Sequence, residues 1–230
     1  MITFEEVGID ERILKAIDEL GFKRPMPVQE KVIPHLISDE TRDIIGLAQT
    51  GTGKTAAFGL PLIQNTNTSK KKTQYLILAP TRELCLQIAD DLKSFAKYVE
   101  DIKIVAVFGG ASMERQISLL KAGAHIISAT PGRLLDLINR KKVNISKIKT
   151  VVLDEADEML NMGFREELEA ILSETPADKT TLLFSATMPK EVRKIADKFM
   201  NNPLEITIGK QNVGAENVKH LCYMVNARER

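Results

Sequence analysis

The sequence predicts an α/β fold: a mainly parallel sheet with helices on both faces. Three observations carry that prediction. Short β-branched apolar runs alternate with helix-period segments along most of the 230 residues, the pattern of strands joined by crossover helices. A glycine-rich loop, Ala48-Gln49-Thr50-Gly51-Thr52-Gly53-Lys54-Thr55, lies directly behind one such run. An acidic segment, Asp154-Glu155-Ala156-Asp157, lies directly behind another. In open α/β sheets ligands collect at the carboxyl ends of the strands, where both segments fall.

Taken in order, helices are expected over Asp10–Leu20 and Val28–Ile37, parted by Gly21-Phe22-Lys23-Arg24-Pro25-Met26-Pro27. The run Ile44–Leu47 is a strand, and Lys54–Gln64 the helix behind its loop. Asn65–Thr73 is polar, lysine-rich and without periodicity, so it reads as a solvated loop. Further strands are expected at Tyr75–Ala79, Lys103–Phe108, His125–Ser128, Thr150–Leu153 and Thr181–Phe184. Between and after them fall helices over Thr81–Tyr98, Met113–Ala122, Pro131–Arg140, Phe164–Ser173 and Lys190–Phe199. Met159, Leu160 and Met162 are helical positions expected to face the core. Gly209–Gly214 reads as a linker, and Val218–Val225 alternates like a new strand.

Composition narrows the partners. A net charge of +1 excludes a general basic coat, so any nucleic acid must be held in a local groove. No apolar run is long enough to span a bilayer, and the N-terminus lacks the basic and apolar regions of a signal peptide. A cytoplasmic protein is expected. Cys85 and Cys222 have no metal-ligand spacing, and His35, His125 and His220 have no catalytic one.

The glycine-rich loop sits between a strand and a helix, the context that gives it meaning. Gly51 and Gly53 let successive N–H groups turn inward as an anion nest. Lys54 would reach the β and γ phosphates of a nucleotide, and the Thr55 hydroxyl would ligate Mg2+. Ala48 stands where this loop usually begins with glycine, and it fits if its φ stays negative. Asp154 would hold the metal through its water shell, while Glu155 would orient and deprotonate the attacking water. Mg-ATP hydrolysis is the chemistry expected from that pair.

From Phe4 to Thr187 the chain resembles the N-terminal RecA-like domain of a DEAD-box RNA helicase, a P-loop NTPase fold. Gly21-Phe22 with Pro25, Pro27 and Gln29 resembles the Q motif. That likeness implies that Gln29 bonds the adenine edge, that Phe22 stacks on the ring with Arg24 nearby, and that Phe4 props the motif. Met26 replaces a more usual Thr or Ser. Pro80-Thr81-Arg82, Gly109-Gly110 and Thr130-Pro131-Gly132-Arg133 resemble the RNA-gripping motifs. They imply RNA held by its backbone, with little sequence preference. Ser185-Ala186-Thr187 resembles the motif coupling hydrolysis to strand separation, with Asp157 as its partner.

The resemblance divides the chain into a Q-motif helical region over 1–40, a RecA-like ATP-binding domain over 41–208, and a linker with the start of a second RecA-like domain over 209–230. It implies that arginines of that second domain complete the site, so the present residues alone should hydrolyse ATP poorly. A DNA-directed translocase and a non-catalytic nucleotide-gated module remain the competing classes.

Overall fold

The computed structural model describes residues 2–38 and 42–208. The expected linker and strand after Ile208, with Cys222 and His220, lie outside these residues, as does the proposed start of a second domain. Helices α1 (Glu11–Glu19) and α2 (Pro27–Ile37) precede a regular alternation. This runs β1 (Ile44–Leu47), α3 (Lys54–Gln64), β2 (Tyr75–Leu78), α4 (Arg82–Phe95), β3 (Ile104–Val107), α5 (Met113–Lys121), β4 (Ile126–Ala129) and α6 (Pro131–Asn139). It continues with β5 (Thr150–Leu153), α7 (Ala156–Asn161), α8 (Arg165–Ser173), β6 (Thr180–Ser185), α9 (Lys190–Phe199) and β7 (Leu204–Thr207).

The seven strands of the described residues form one sheet in the order β3-β4-β2-β5-β6-β1-β7, and every pairing is parallel. "Mainly parallel" therefore becomes wholly parallel here. The five inner strands β1, β2, β4, β5 and β6 are buried on both faces, as strands of a parallel sheet covered by helices are, successive side chains pointing to opposite sides. Tyr75 and Ile77 enter the apolar cluster shared with α1 to α4, while Leu76 and Leu78 enter the cluster beneath α6, α8 and α9. Helices α1 and α2 pack into the first of these through Ile13, Ile17, Val28, Val32 and Ile33.

Two elements depart from the sequence expectation. Strand β7 was not expected because it is an edge strand in which only Ile206 is buried, so no continuous apolar run marks it. Its position is fixed by Asp43, a buried carboxylate that accepts from Thr181 N at 2.6 Å and Asn201 N at 2.6 Å. Met162 does not face the core: it is 48% exposed, whereas Met159 is fully buried. Helix α7 ends one residue earlier, and Gly163 at φ +88° turns the chain away. Phe164 N then donates to Met159 O and Gly163 N to Leu160 O, the left-handed helix stop that favours glycine.

The same stop closes α6 with a different residue. Lys142 N donates to Leu137 O and Lys141 N to Ile138 O, but the left-handed position is Lys141 at φ +55°. A side chain there costs on the order of 1 kcal/mol relative to glycine.

Strand β1 needs Gly46 for a different reason. Phe184, its register partner on β6, lies across it, so an added Cβ would stand 2.5 Å from the ring. That ring is fully buried and packs on Phe58 at 5.7 Å between centroids.

Candidate nucleotide and RNA site

All parallel strands end at one rim, and the sheet order divides it into two halves. Strands β1, β6 and β5 carry the glycine-rich loop, Ser185-Ala186-Thr187 and Asp154-Glu155. Strands β2, β4 and β3 carry Pro80-Thr81-Arg82, Thr130–Arg133 and Gly109-Gly110.

On the first half, Gly51 and Gly53 have φ of +77° and +85°, a conformation open to glycine and strained for other residues. Ala48 is not among the positive-φ residues, so alanine meets no backbone penalty there. Its N–H donates to Ser185 O at 3.0 Å, which docks the start of the loop on β6. Thr52 Oγ1 donates to Gln49 O at 2.8 Å and stiffens the loop from within. Lys54 is 6% exposed; its Nζ donates to Ala48 O at 3.3 Å and stands 3.6 Å from Asp154 Oδ1. Thr55 follows on the first turn of α3.

Asp154 is almost wholly buried, and burial lifts its pKa above the usual carboxylate range while Lys54 pulls it partly back. Glu155 is also raised, by burial first and then by the charge of Asp154. Its backbone is left-handed, φ +53° and ψ 52°, uncommon for a non-glycine residue and costly by about 1–3 kcal/mol. Strain at a carboxylate in this pocket marks Glu155 beyond its sequence neighbours.

Asp157 is bound differently. Thr187 Oγ1 donates to its Oδ2 at 2.7 Å and Thr187 N at 3.0 Å. Its own N–H donates to Ser185 Oγ at 3.3 Å. Burial opposes its charge, but the hydrogen bonds from Thr187 and Ser185 win and hold its pKa below normal. Ser185 thus touches both the glycine-rich loop, through its carbonyl, and α7, through its hydroxyl.

Lys54, Thr55, Asp154 and Glu155 open onto one cavity of about 630 Å3 together with Thr50, Gly51, Gly53, Phe22, Arg24 and Gln29. Gln29 is 3% exposed; its Oε1 accepts from Met26 N at 2.8 Å and its Nε2 donates to Gly53 O at 3.0 Å. One N–H and one lone pair of the carboxamide stay uncommitted in these bonds. Met26 sets its sulfur against Gly53, where a Cβ would lie 2.8 Å from it, so a thioether packs where a hydroxyl is usual. Phe22 is 36% exposed and rests on Phe4 and Phe95, at 6.3 and 5.8 Å between centroids.

One wall of this cavity was missed in the sequence. Leu84, Gln87, Asp91 and Ser94 of α4 line it. Their spacing of three and four residues places them on one helical stripe, a signal present in the sequence but masked by the apolar stripe beside it.

The second half is organised by backbone caps. Thr81 Oγ1 accepts from Leu84 N at 3.2 Å and starts α4. Arg82 lies over the Phe108 ring at 5.0 Å and close to Gly110, whose φ is +78°. Arg133 Nη1 donates to Ala111 O at 3.2 Å, so it spans from α6 to the loop after β3. Thr130 N donates to Val107 O, and Pro131 opens α6. Pro80 and Pro131 are buried, while Arg82, Gly109 and Gly110 are exposed.

A wholly parallel sheet with this strand order and a glycine-rich loop on its rim is a RecA-like domain. The sequence pattern of the DEAD/DEAH box helicase family matches residues 26–195. The chain belongs to that family. It is 46% identical over 225 residues to the ATP-dependent RNA helicase DeaD of Haemophilus influenzae, covering 98% of this chain and 36% of that protein. To the DEAD-box ATP-dependent RNA helicase CshA of Geobacillus kaustophilus it is 45% identical over 230 residues, covering 100% of this chain and 49% of that one. A crystal structure of a DEAD box protein from the hyperthermophile Methanococcus jannaschii superposes with a TM-score of 0.86 at 44% identity, covering 90% of this chain and 56% of that chain. The chain therefore spans between about a third and a half of the curated relatives it matches. Among the described residues no helix is long and apolar enough to cross a membrane.

Proposed function

We propose that this chain is the ATP- and RNA-binding part of a DEAD-box RNA-dependent ATPase. The observation that carries the reading is the convergence of Lys54, Asp154 and Glu155 on the cavity that Gln29 and Phe22 also line. In this reading Phe22 offers the base a ring face, and the uncommitted N–H and lone pair of Gln29 meet the adenine edge. The inward N–H groups of the loop and Lys54 hold the phosphates. Glu155 accepts a proton from the attacking water, and its raised pKa brings it nearer the working pH of a base. Thr55 and Asp154 are the hard oxygen donors that suit Mg2+; bound there, the ion would neutralise charge on the phosphate oxygens. The opposite half of the rim, with Thr81, Arg82, Gly110, Thr130 and Arg133, suits phosphates and sugars rather than base edges. Asp157, Ser185 and Thr187 lie on the nucleotide half, on the elements that follow β5 and β6, and would transmit the state of the nucleotide to the RNA face.

The test is ATP turnover by the full-length protein with RNA or with single-stranded DNA of the same sequence. Stimulation by RNA alone is expected, and equal stimulation by DNA would favour a translocase of another kind. Residues 1–230 on their own should turn over ATP at least 10³-fold more slowly than the whole protein, the range a missing arginine finger accounts for. Brisk RNA-stimulated turnover by these residues alone would refute that.

Gln29→Ala should raise the KM for ATP about tenfold and weaken discrimination against GTP, since a missing hydrogen-bond partner is worth about 1–3 kcal/mol. Competition between the two nucleotides in the ATPase assay measures it. Unchanged discrimination would place base reading elsewhere.

A further inference from the structure

The opposite end of the sheet, where the strands begin, carries a feature that the nucleotide and RNA rim does not use. Three adjoining grooves of about 740, 410 and 280 Å3 share Ser146, Lys142 and Lys147 among their walls. Into them project Lys71, Lys72, Lys141, Lys142, Lys147 and Lys149, all exposed. None of the six makes an ion pair among the described residues, although Lys93, Lys97, Arg140, Arg165, Arg193, Lys194 and Lys198 all do. The acids in the groove walls are Glu174 and Asp178. In a chain of net charge +1, this is a local concentration of uncompensated positive charge.

Two further features connect it to the rim. Helix α6 runs from Pro131 to Asn139, with Thr130 before it and Lys141 and Lys142 just past its cap at Arg140, and at nine residues it is only about 13 Å long. Lys141 occupies a left-handed helix stop that glycine would fill without strain, so a cation is kept where the backbone disfavours any side chain.

We propose that this lysine face is a second, sequence-independent RNA contact, holding backbone phosphates of the strand that leaves the rim along α6. The proposal rests on the RNA reading of the rim and extends it. Lysines spread over shallow polar grooves suit a mobile phosphate chain, whereas a defined acidic peptide would be better matched by arginines in bidentate geometry.

The experiment uses full-length protein with an ATP analogue and two RNAs. One is about 10 nucleotides long, enough for a single binding face, and the other is about three times longer. Wild-type protein should bind the longer RNA at least tenfold more tightly. In the variant K71Q/K72Q/K142Q/K147Q that gain should vanish, and the slope of log affinity against log salt should fall by up to about 3, roughly 0.7 for each lost phosphate contact. Binding of the short RNA and the kcat with it should be unchanged. Lys141→Gly should raise the melting temperature while weakening only the long RNA, an outcome a purely structural role would not give. If the wild type gains nothing from length, or the variant keeps the gain, the lysine face does not hold RNA; an acidic protein segment would then be its better partner. If the wild type fails to bind even the short RNA, the reading of the rim fails and this proposal with it.

Discussion

Replacing Glu155 by Gln in the full-length protein is expected to slow ATP turnover by about 10²–10⁴, the usual contribution of a positioned general base, while ATP and RNA remain bound together. The substitution keeps the side chain's length and hydrogen-bonding shape, so the left-handed backbone at 155 carries the same strain as before. It also removes a charge that burial and Asp154 both disfavour. A carboxylate whose folded pKa is raised opposes folding above that pKa, and the penalty fades as pH falls through it. The variant should therefore be no less stable than wild type at neutral pH, and its stability should respond less to mild acidification. Single-turnover kinetics, RNA dissociation rates and thermal melts read the three effects separately. The wild-type rate should fall on acidification at a pH above the ordinary glutamate range, because a protonated base cannot accept the proton of water. A Glu155→Gln protein that still cycles at near wild-type rate would remove the residue from that role. A collapsed melting temperature would mean that the carboxylate is structural.

Gly46→Ala is expected to destabilise the domain by about 1–3 kcal/mol, as overpacking of a full core does, and so to lower the melting temperature by roughly 3–10 °C. The cause is local: the new methyl would meet the Phe184 ring at 2.5 Å, and that ring is held by Phe58 and the surrounding core. Because β1 runs straight into the glycine-rich loop proposed to hold the phosphates, nucleotide affinity should fall with stability. Adding Phe184→Leu should recover part of the loss, and a double-mutant cycle followed by thermal melts measures the coupling. Additive losses would show that the ring and the glycine do not act as a pair.

Gly46 also illustrates what a chain of letters conveys. Its neighbours Ile44, Ile45 and Leu47 announce a buried strand by their own side chains, and so do the runs in β2 and β5. The need for glycine at 46 depends on residue 184, which only the folded sheet brings opposite. The site divides in the same way. Lys54, Thr55, Asp154 and Glu155 were legible because each sits in a short segment with a recognisable chemical pattern. The α4 stripe through Gln87 and Asp91 was not, since its polar residues take part in no local motif. Asp43, which ties β6 to the approach of β7, looked like any acid before a strand. The strain at Glu155 and Lys141 is backbone information, invisible until the dihedral angles are known.

The insertion of β6 between β1 and β5 imposes a length requirement on residue 54. Neighbouring strands lie about 4.8 Å apart, so the loop after β1 and the acids after β5 are offset by nearly twice that distance. Only a long unbranched cation can cross a gap of that width while its stem stays packed. A shorter amine with the same charge would fall short of Asp154 Oδ1, which Lys54 Nζ approaches to 3.6 Å. Reach as well as charge selects lysine here, and the spacing of the strands acts as the gauge.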